Sequence, residues 1–145
     1  MREMTAGRPE ILFLCVHNAG RSQMAAAFAR ALGGELIVVH SAGSEPGVAL
    51  HPAVIDAMRE VGLDISGESP RGLTDEMGRR ADVIVTMGCG DACPVYSGAR
   101  YEDWVLDDPA GQSIDAVRVI RDEIEQRVRG LLDELLGHDR EHPPR

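Results

Sequence analysis

The sequence predicts an α/β fold, in which an open, twisted, three-layer parallel sheet of about four strands carries helices on both faces. Two patterns lead to this prediction. Short uninterrupted apolar runs alternate along the chain with segments whose apolar residues recur every three or four positions. The runs are typical of buried parallel strands, and the recurring pattern is typical of amphipathic helices. Their alternation implies βαβ units with right-handed crossovers.

The first predicted strand is the apolar run ILFL at 11–14. The alanine-rich segment 21–32 follows it, and the larger apolar side chains of this segment, Met24, Phe28 and Leu32, recur at a spacing of four. Because that spacing places the three side chains on one side of a helix, the segment is predicted to be the first helix.

The run LIVVH at 36–40 is the second predicted strand, and the turn-forming residues of SAGSEPG predict a loop directly after it. The segment 52–62 begins with Pro and ends with Gly, the usual punctuation of a helix. The stretch LTDEMGRRA at 73–81 predicts a further short helix.

The run DVIVTM at 82–87 is the third predicted strand, and ARYEDWVL at 99–106 is a weaker fourth. The last predicted element is a long amphipathic helix over 114–135, with Ser113 as its N-cap. These elements predict one domain over residues 10–136. Flexible tails are predicted at 1–9 and 137–145.

The composition excludes several classes of function. The net charge of −9 argues against nucleic acid or an anionic membrane as the main partner. No apolar run approaches the length of a membrane span, and no segment has the pattern of a secretory signal. A cytoplasmic protein is therefore predicted, in which the three cysteines are more often catalytic or metal-binding than structural.

Cys15 stands where the first strand ends, and Arg21 and Ser22 stand where the first helix begins. A loop between a strand and a helix can turn its backbone N–H groups towards an oxyanion. Arg21 adds a planar fork for two oxygens of a tetrahedral anion, and Ser22 can donate a hydrogen bond to a Cys15 thiolate. The residues predicted to bind the oxyanion are Val16, His17, Asn18, Ala19, Gly20, Arg21 and Ser22.

Two of these residues, Asn18 and Gly20, tolerate the left-handed backbone angles that a concave loop needs. The pocket would thus bind an oxyanion, and the Cys15 thiolate beneath it would attack the central atom. In the competing interpretation, Cys15 is a buried core residue and Arg21 lies on the surface of the helix.

The stretch CVHNAGRSQMAAAF resembles the active-site loop of the low-molecular-weight protein tyrosine phosphatase superfamily, and RSQMAAA resembles its arsenate reductase branch. The resemblance covers about residues 10–136 and includes SAG at 41–43, VGLDIS at 61–66, ADVIVTMGC at 81–89 and DWVLDDPAG at 103–111. It implies a phosphatase-type fold and thiol-dependent reduction of arsenate, with phosphate or sulfate as mimics of the substrate.

Three departures from the phosphatase pattern favour the reductase. Gly20 stands where phosphatases usually carry a second cysteine, and Gln23 stands where they have proline. Ala110 and Gly111 replace the tyrosines that grip an aromatic substrate, and Cys89 and Cys93 have no use in a phosphatase. A phosphatase acting on tyrosine or small phosphate esters is the alternative, and a non-enzymatic oxyanion or redox sensor is a third hypothesis.

The resemblance places the general acid at Asp108, the aspartate directly before proline in LDDP. An acid is needed there because the departing oxygen of the oxyanion must be protonated. The neighbouring Asp107 is a second candidate for this role.

The resemblance also implies a redox relay through Cys89 and Cys93. Cys15 attacks arsenic, Cys89 then attacks Cys15 with release of arsenite, and Cys93 attacks Cys89 to form a Cys89–Cys93 disulfide. Gly88 and Gly90 flank Cys89 and would let it move between partners. Two buried thiols are the simplest competing interpretation. A zinc site is disfavoured, because no second Cys or His pair at metal spacing accompanies the two cysteines.

No bound cofactor is predicted, and the reductant is external. Thioredoxin would reduce a Cys89–Cys93 disulfide. The spacing CGDAC is shorter than in thioredoxin-linked relatives, and it leaves open an external thiol, mycothiol or glutathione, that attacks the arsenic adduct. Mycothiol with mycoredoxin would suit an actinobacterial host, which the lysine-free, alanine- and glycine-rich composition suggests.

No metal site is predicted. Some relatives bind potassium at positions that correspond here to Asn18, Ser41, Ala26 and Arg71. The acidic side chains of those relatives are absent at Ala26 and Arg71.

Overall fold

The computed structural model describes residues 7–89 and 93–137. Four strands form one parallel sheet: β1 (Glu10–Cys15), β2 (Val38–Gly43), β3 (Val83–Thr86) and β4 (Arg100–Asp103). The strand order across the sheet is β2-β1-β3-β4. The α-helices are α1 (Arg21–Gly33), α2 (Pro52–Glu60), α3 (Asp75–Arg80) and α4 (Ile114–Leu136).

The predicted α/β class and the four-stranded parallel sheet are confirmed, and helices lie on both faces. One face of β1, with Ile11 and Phe13, packs in an apolar cluster with buried residues of α1, α2 and α4. The other face, with Leu12 and Leu14, packs with Ile84 and with residues in and around α3. Because side chains alternate along a strand, the buried run ILFL supplies both layers of the core.

The second strand extends beyond its predicted end. Residues 41–43, predicted as the start of a loop, belong to β2, where Ser41 and Ala42 pair with Phe13 and Leu14 of β1. The prediction was wrong because the small polar residues of SAG suggested a turn, although in the fold they are buried beside the central strand. At the other end, Leu36 is 53% exposed in a short 3-10 turn, Gly34–Leu36, that precedes the strand.

The fourth strand is shorter than its predicted span of 99–106. It ends at Asp103, after which the ring of Trp104 packs against Phe13 with 5.9 Å between the ring centroids. The indole Nε1 of Trp104 donates to Glu102 Oε1 at 3.0 Å. Trp104 is 4% exposed, and its backbone N–H still donates to Thr86 O of β3 at 2.8 Å.

The predicted N-cap of the last helix is confirmed. Ser113 Oγ accepts a hydrogen bond from the backbone N–H of Ala116 at 3.2 Å, which satisfies one of the free donors at the start of α4. The buried stripe of this helix packs against α1 and α2; its members are Val117, Ile120, Ile124, Val128, Leu131 and Leu132.

Several sequence predictions fall wholly or partly outside the described residues. Residues 1–6 and 138–145, which make up most of the two predicted tails, lie outside them, as does Gly90. Within the described residues, no helix combines the length and the apolar character that crossing a membrane requires.

Glu60 joins α2 to α4 through two arginines. Arg118 Nη2 donates to Glu60 Oε2 at 2.6 Å, and Arg121 Nη1 donates to Glu60 Oε1 at 2.8 Å. Arg121 is itself buried and also donates to the carbonyl of Ala57 at 2.9 Å. The hydrogen bonds from Arg118 and Arg121 lower the pKa of Glu60 from 4.5 to about 2.

We expect Glu60→Gln to lower the midpoint of urea unfolding at pH 7. Because the carboxyl has a lower pKa in the folded protein, its contribution is complete above pH 4.5 and is lost as the pH falls towards 2. The difference between wild type and variant should therefore narrow over that interval. Glu123→Gln is the control, since the ion pair of Glu123 with Arg127 lies within α4 and joins no second element. An equal effect of both substitutions on the unfolding midpoint at pH 7 would contradict the role of Glu60 in joining α2 to α4.

Candidate active site

Cys15 is the last residue of β1 and lies at the carboxyl edge of the sheet, the edge at which ligands bind in open α/β folds. Its side chain is buried and its Sγ lies 2.9 Å from Ser22 Oγ in the first turn of α1. Residues 15–22, from the end of β1 to this turn, are called the Cys15 loop below.

The carbonyl groups of the Cys15 loop are held from outside by residues 44–51. Ser44 N–H donates to Cys15 O at 3.1 Å, and Glu45 N–H donates to Val16 O at 2.8 Å. Gly47 and His51 donate in the same way to His17 O and Ala19 O. Because C=O and N–H point in opposite directions across a trans peptide, carbonyls held outward leave the N–H groups of the loop turned inward.

Asn18 shapes the loop. Its backbone has a φ of +53°, the left-handed conformation predicted for it and one that asparagine tolerates better than most residues. The parallel expectation for Gly20 is wrong, since its φ is −147°. What requires glycine at position 20 is space, because a Cβ there would lie 2.7 Å from Cγ of Pro109.

Pro109 therefore brings the predicted acid close to the Cys15 loop. Asp108 Oδ2 lies 3.7 Å from Nη2 of Arg21, and Asp108 Oδ1 accepts from the Ala110 N–H at 3.0 Å. The Asp108 side chain is 53% exposed, whereas that of Arg21 is 9% exposed. Of the two adjacent aspartates, Asp108 is the one that the structure pairs with Arg21.

Gly88 borders the other side of Arg21. A Cβ at this position would lie 2.6 Å from Arg21 Nη1, and the φ of Gly88 is +96°. The sequence predicted Gly88 as a point of movement beside Cys89, but its contact with Arg21 is visible only in the structure. The buried guanidinium is thus confined between this glycine and the turn that carries Asp108.

Cys89 and Cys93 form a disulfide, with their Cα atoms 5.6 Å apart, and Cys15 is a free thiol. Both half-cystines are buried and pack with Leu12 and Leu14, whereas Cys15 packs with the cluster on the opposite face of the sheet. The structure thus places the predicted pair just past β3, at the same sheet edge as Cys15 but in a different apolar layer.

Two tyrosines hold the chain that follows Cys93. The hydroxyl of Tyr101 accepts from Tyr96 N–H at 2.6 Å and donates to Pro94 O at 3.1 Å. The hydroxyl of Tyr96 donates to Asp75 Oδ1 at the start of α3. Because both anchors belong to the sheet or to α3, the position of Cys93 is tied to the rigid part of the fold.

Polar side chains in and around the loop make hydrogen bonds within the protein. Among residues 7–89 and 93–137, no three His, Cys, Asp or Glu side chains are grouped as ligands would be. His17 is exposed, with its Nδ1 2.9 Å from Glu45 O. Asn18 Oδ1 instead accepts hydrogen bonds from Arg71 N–H and Gln23 Nε2, each at 3.0 Å.

In this parallel sheet the first strand ends in a cysteine, and the loop after it has four carbonyls held from outside. This arrangement is that of α/β proteins able to hold an oxyanion beside a thiol. The family model of the low molecular weight phosphotyrosine protein phosphatases matches residues 10–141. The chain belongs to this family, as its sequence motifs predicted, and its fold is of the corresponding type.

Three relatives have names that indicate one activity. The glutaredoxin arsenate reductase of Synechocystis is 37% identical over 87% of this chain and 98% of its own length. The solved thioredoxin-dependent arsenate reductase of Corynebacterium glutamicum is 42% identical with a TM-score of 0.76; the match covers 89% of this chain and 62% of that chain. A solved arsenate reductase in its phosphate-binding state is 37% identical with a TM-score of 0.80, over 88% and 98% of the two chains.

We expect Gly88→Ala to weaken phosphate binding about tenfold or more, because the new Cβ would displace the guanidinium that is predicted to bind two oxygens of the anion. Titration calorimetry with inorganic phosphate measures the affinity. Gly98→Ala is the matched control, since Gly98 has a φ of +94° and open space around its Cβ position. Both variants should lose stability, and only Gly88→Ala should lose affinity. Equal phosphate affinity in the two variants would exclude this contact as a determinant of binding.

Proposed function

We propose that this protein is an arsenate reductase that uses Cys15 as nucleophile and Cys89 and Cys93 as an internal thiol relay. The observation that carries the proposal is a Cys89–Cys93 disulfide beside a free Cys15 at the end of β1. The reductase names of the relatives support the activity.

The Cys15 loop holds arsenate in the first step. Its inward N–H groups and Arg21 bind the oxygens, and Ser22 donates to the Cys15 thiolate. The thiolate attacks arsenic and forms an S–As bond. The departing oxygen takes a proton from Asp108 and leaves as water.

The Cys89 thiolate then attacks the sulfur of Cys15. The S–As bond breaks and its electron pair stays on arsenic, which leaves as arsenite while a Cys15–Cys89 disulfide forms. Cys93 attacks the Cys89 sulfur, which returns Cys15 to the thiolate and creates the Cys89–Cys93 disulfide. One arsenate is reduced by two electrons, and two thiols are oxidised to one disulfide.

An external thiol reductant completes the cycle, and we propose a protein of the thioredoxin type for this chain. The names of the Corynebacterium glutamicum and Synechocystis relatives support a redox protein in this role. Mycothiol with mycoredoxin is the alternative, in which the external thiol attacks the arsenic adduct directly. We place the protein in the cytoplasm, where such reductants keep thiols reduced.

The cysteine pair distinguishes these hypotheses. We expect Cys89→Ser and Cys93→Ser each to abolish multiple turnover with thioredoxin, while stoichiometric binding of arsenate at Cys15 persists. Reduction is followed by arsenite release and by reductant consumption. Normal turnover of both variants with mycothiol and mycoredoxin would contradict the relay and support attack by the external thiol. Efficient hydrolysis of phosphate esters without any arsenate turnover in the wild type would identify a phosphatase instead.

We expect Asp108→Asn to slow arsenite release by about 10²- to 10⁴-fold in single-turnover experiments, because the departing oxygen loses its proton donor. Phosphate affinity should be retained, since the N–H groups and Arg21 remain. Asp107→Asn is the matched control and should stay close to the wild-type rate. The reverse ranking of the two variants would assign the acid to Asp107.

A further inference from the structure

Gln23 is a buried amide in the first turn of α1, only 2% exposed. Its Nε2 donates to the backbone carbonyl of Asn18 at 3.2 Å, to Asn18 Oδ1 at 3.0 Å and to the carbonyl of Ser69 at 3.2 Å. A polar side chain is buried at this cost only where its hydrogen bonds are made. Two of these three hydrogen bonds go to one residue of the Cys15 loop, Asn18.

Backbone groups determine which way both amides face. Asn18 Oδ1 accepts from the Arg71 N–H at 3.0 Å, and a backbone N–H can only donate, so this atom must be the oxygen. Gln23 meets two backbone carbonyls, which can only accept, so the atom that contacts them must be its NH₂. Neither amide can flip without losing hydrogen bonds to the main chain.

These orientations determine the role of the Ser22 hydroxyl. With Oδ1 turned to Arg71 and Gln23, Asn18 presents its Nδ2 to Ser22 Oγ and donates to it at 2.7 Å. A hydroxyl has a single hydrogen, and the lone pair that faces Asn18 is occupied. The Ser22 hydrogen stays available to Cys15 Sγ, 2.9 Å away, and a thiolate at that position can only accept it.

We propose that Gln23 is a positioning residue for the nucleophile. It holds the Asn18 amide in the orientation that makes Ser22 a donor to Cys15, so it acts on the thiolate through two other side chains without contacting sulfur or substrate. The proposal rests on the proposed function in taking Cys15 as the nucleophile. It adds a reason for a glutamine at position 23, directly after Ser22.

The 145-residue chain in its Cys89–Cys93 disulfide form offers a direct test, because Cys15 is then its single thiol. The ultraviolet absorbance of the thiolate, followed against pH, gives the midpoint of Cys15 ionisation. We expect Gln23→Met, which keeps the volume and removes the N–H donors, to move this midpoint upward by about one pH unit. Gln126→Met makes the same change at an exposed position of α4 and should leave it in place.

A double substitution separates positioning from a general loss of structure. Ser22→Ala should itself raise the midpoint, and Gln23→Met should raise it no further in the Ser22→Ala background, because its effect passes through Ser22. Equal shifts in both backgrounds, or no shift from Gln23→Met alone, would overturn the proposal. If Gln23→Met does not fold, Gln23→Leu provides the same comparison, because it also lacks the N–H donors and carries no charge.

The titration needs neither arsenate nor a reductant. A protein that fails to reduce arsenate but shows the Ser22-dependent shift would contradict the proposed function and leave the role of Gln23 intact. In the active enzyme, Gln23→Met should lower the rate of adduct formation at neutral pH. At higher pH the rate of the variant should approach that of the wild type.

Discussion

The site depends on the hydrogen bonds that residues 44–51 donate to the carbonyls of the Cys15 loop. Four N–H groups from that segment hold the carbonyls of Cys15, Val16, His17 and Ala19 outward. Without them the loop would have to satisfy its own carbonyls, and its N–H groups would not all face one point. The segment starts where β2 ends, and β2 pairs with β1 up to Cys15↔Gly43. The register of two strands thus sets the direction of the donors around the oxyanion.

The same arrangement explains how a chain with a net charge of −9 can bind an anion. Among the described residues, most surface arginines, such as Arg118 and Arg129, are paired with carboxylates and add little positive field. Arg21 is different, because it is buried and its carboxylate neighbour Asp108 is largely exposed at 3.7 Å. Local N–H groups and one confined guanidinium can therefore act where the field of the whole protein is unfavourable.

The fold class, the element order and the Cys15 loop could be predicted from the sequence because they depend on local patterns. Buried runs, helix punctuation and the Cys-to-Arg spacing are all visible in the letters. The partners of Gly20 and Gly88 could not be predicted, because Pro109 and Arg21 reach them only after the sheet has formed. Gln23 follows two polar residues, Arg21 and Ser22, so the sequence does not mark it as buried, and its contacts with Asn18 and Ser69 require tertiary structure. The loop prediction for residues 41–43 was wrong because burial in β2, rather than the turn preference of these residues, decides their conformation.

In the proposed cycle, the two apolar layers of the sheet separate two chemical tasks. Cys15 belongs to the layer of α1, where its Sγ lies 2.9 Å from the Ser22 hydroxyl. Cys89 and Cys93 share the opposite layer with Leu12 and Leu14. When the Cys15–Cys89 disulfide has been converted to Cys89–Cys93, the disulfide lies on the other side of β1 from the anion site. A second arsenate can then bind beside a reduced Cys15 before the Cys89–Cys93 disulfide has been reduced.

Tyr101 and Tyr96 tie the chain after Cys93 to β4 and α3. In the proposed cycle, the sulfur that moves between partners is therefore that of Cys89. Gly88 has a left-handed backbone and borders Arg21, so in the proposed cycle a movement of Cys89 would also change the surroundings of that guanidinium.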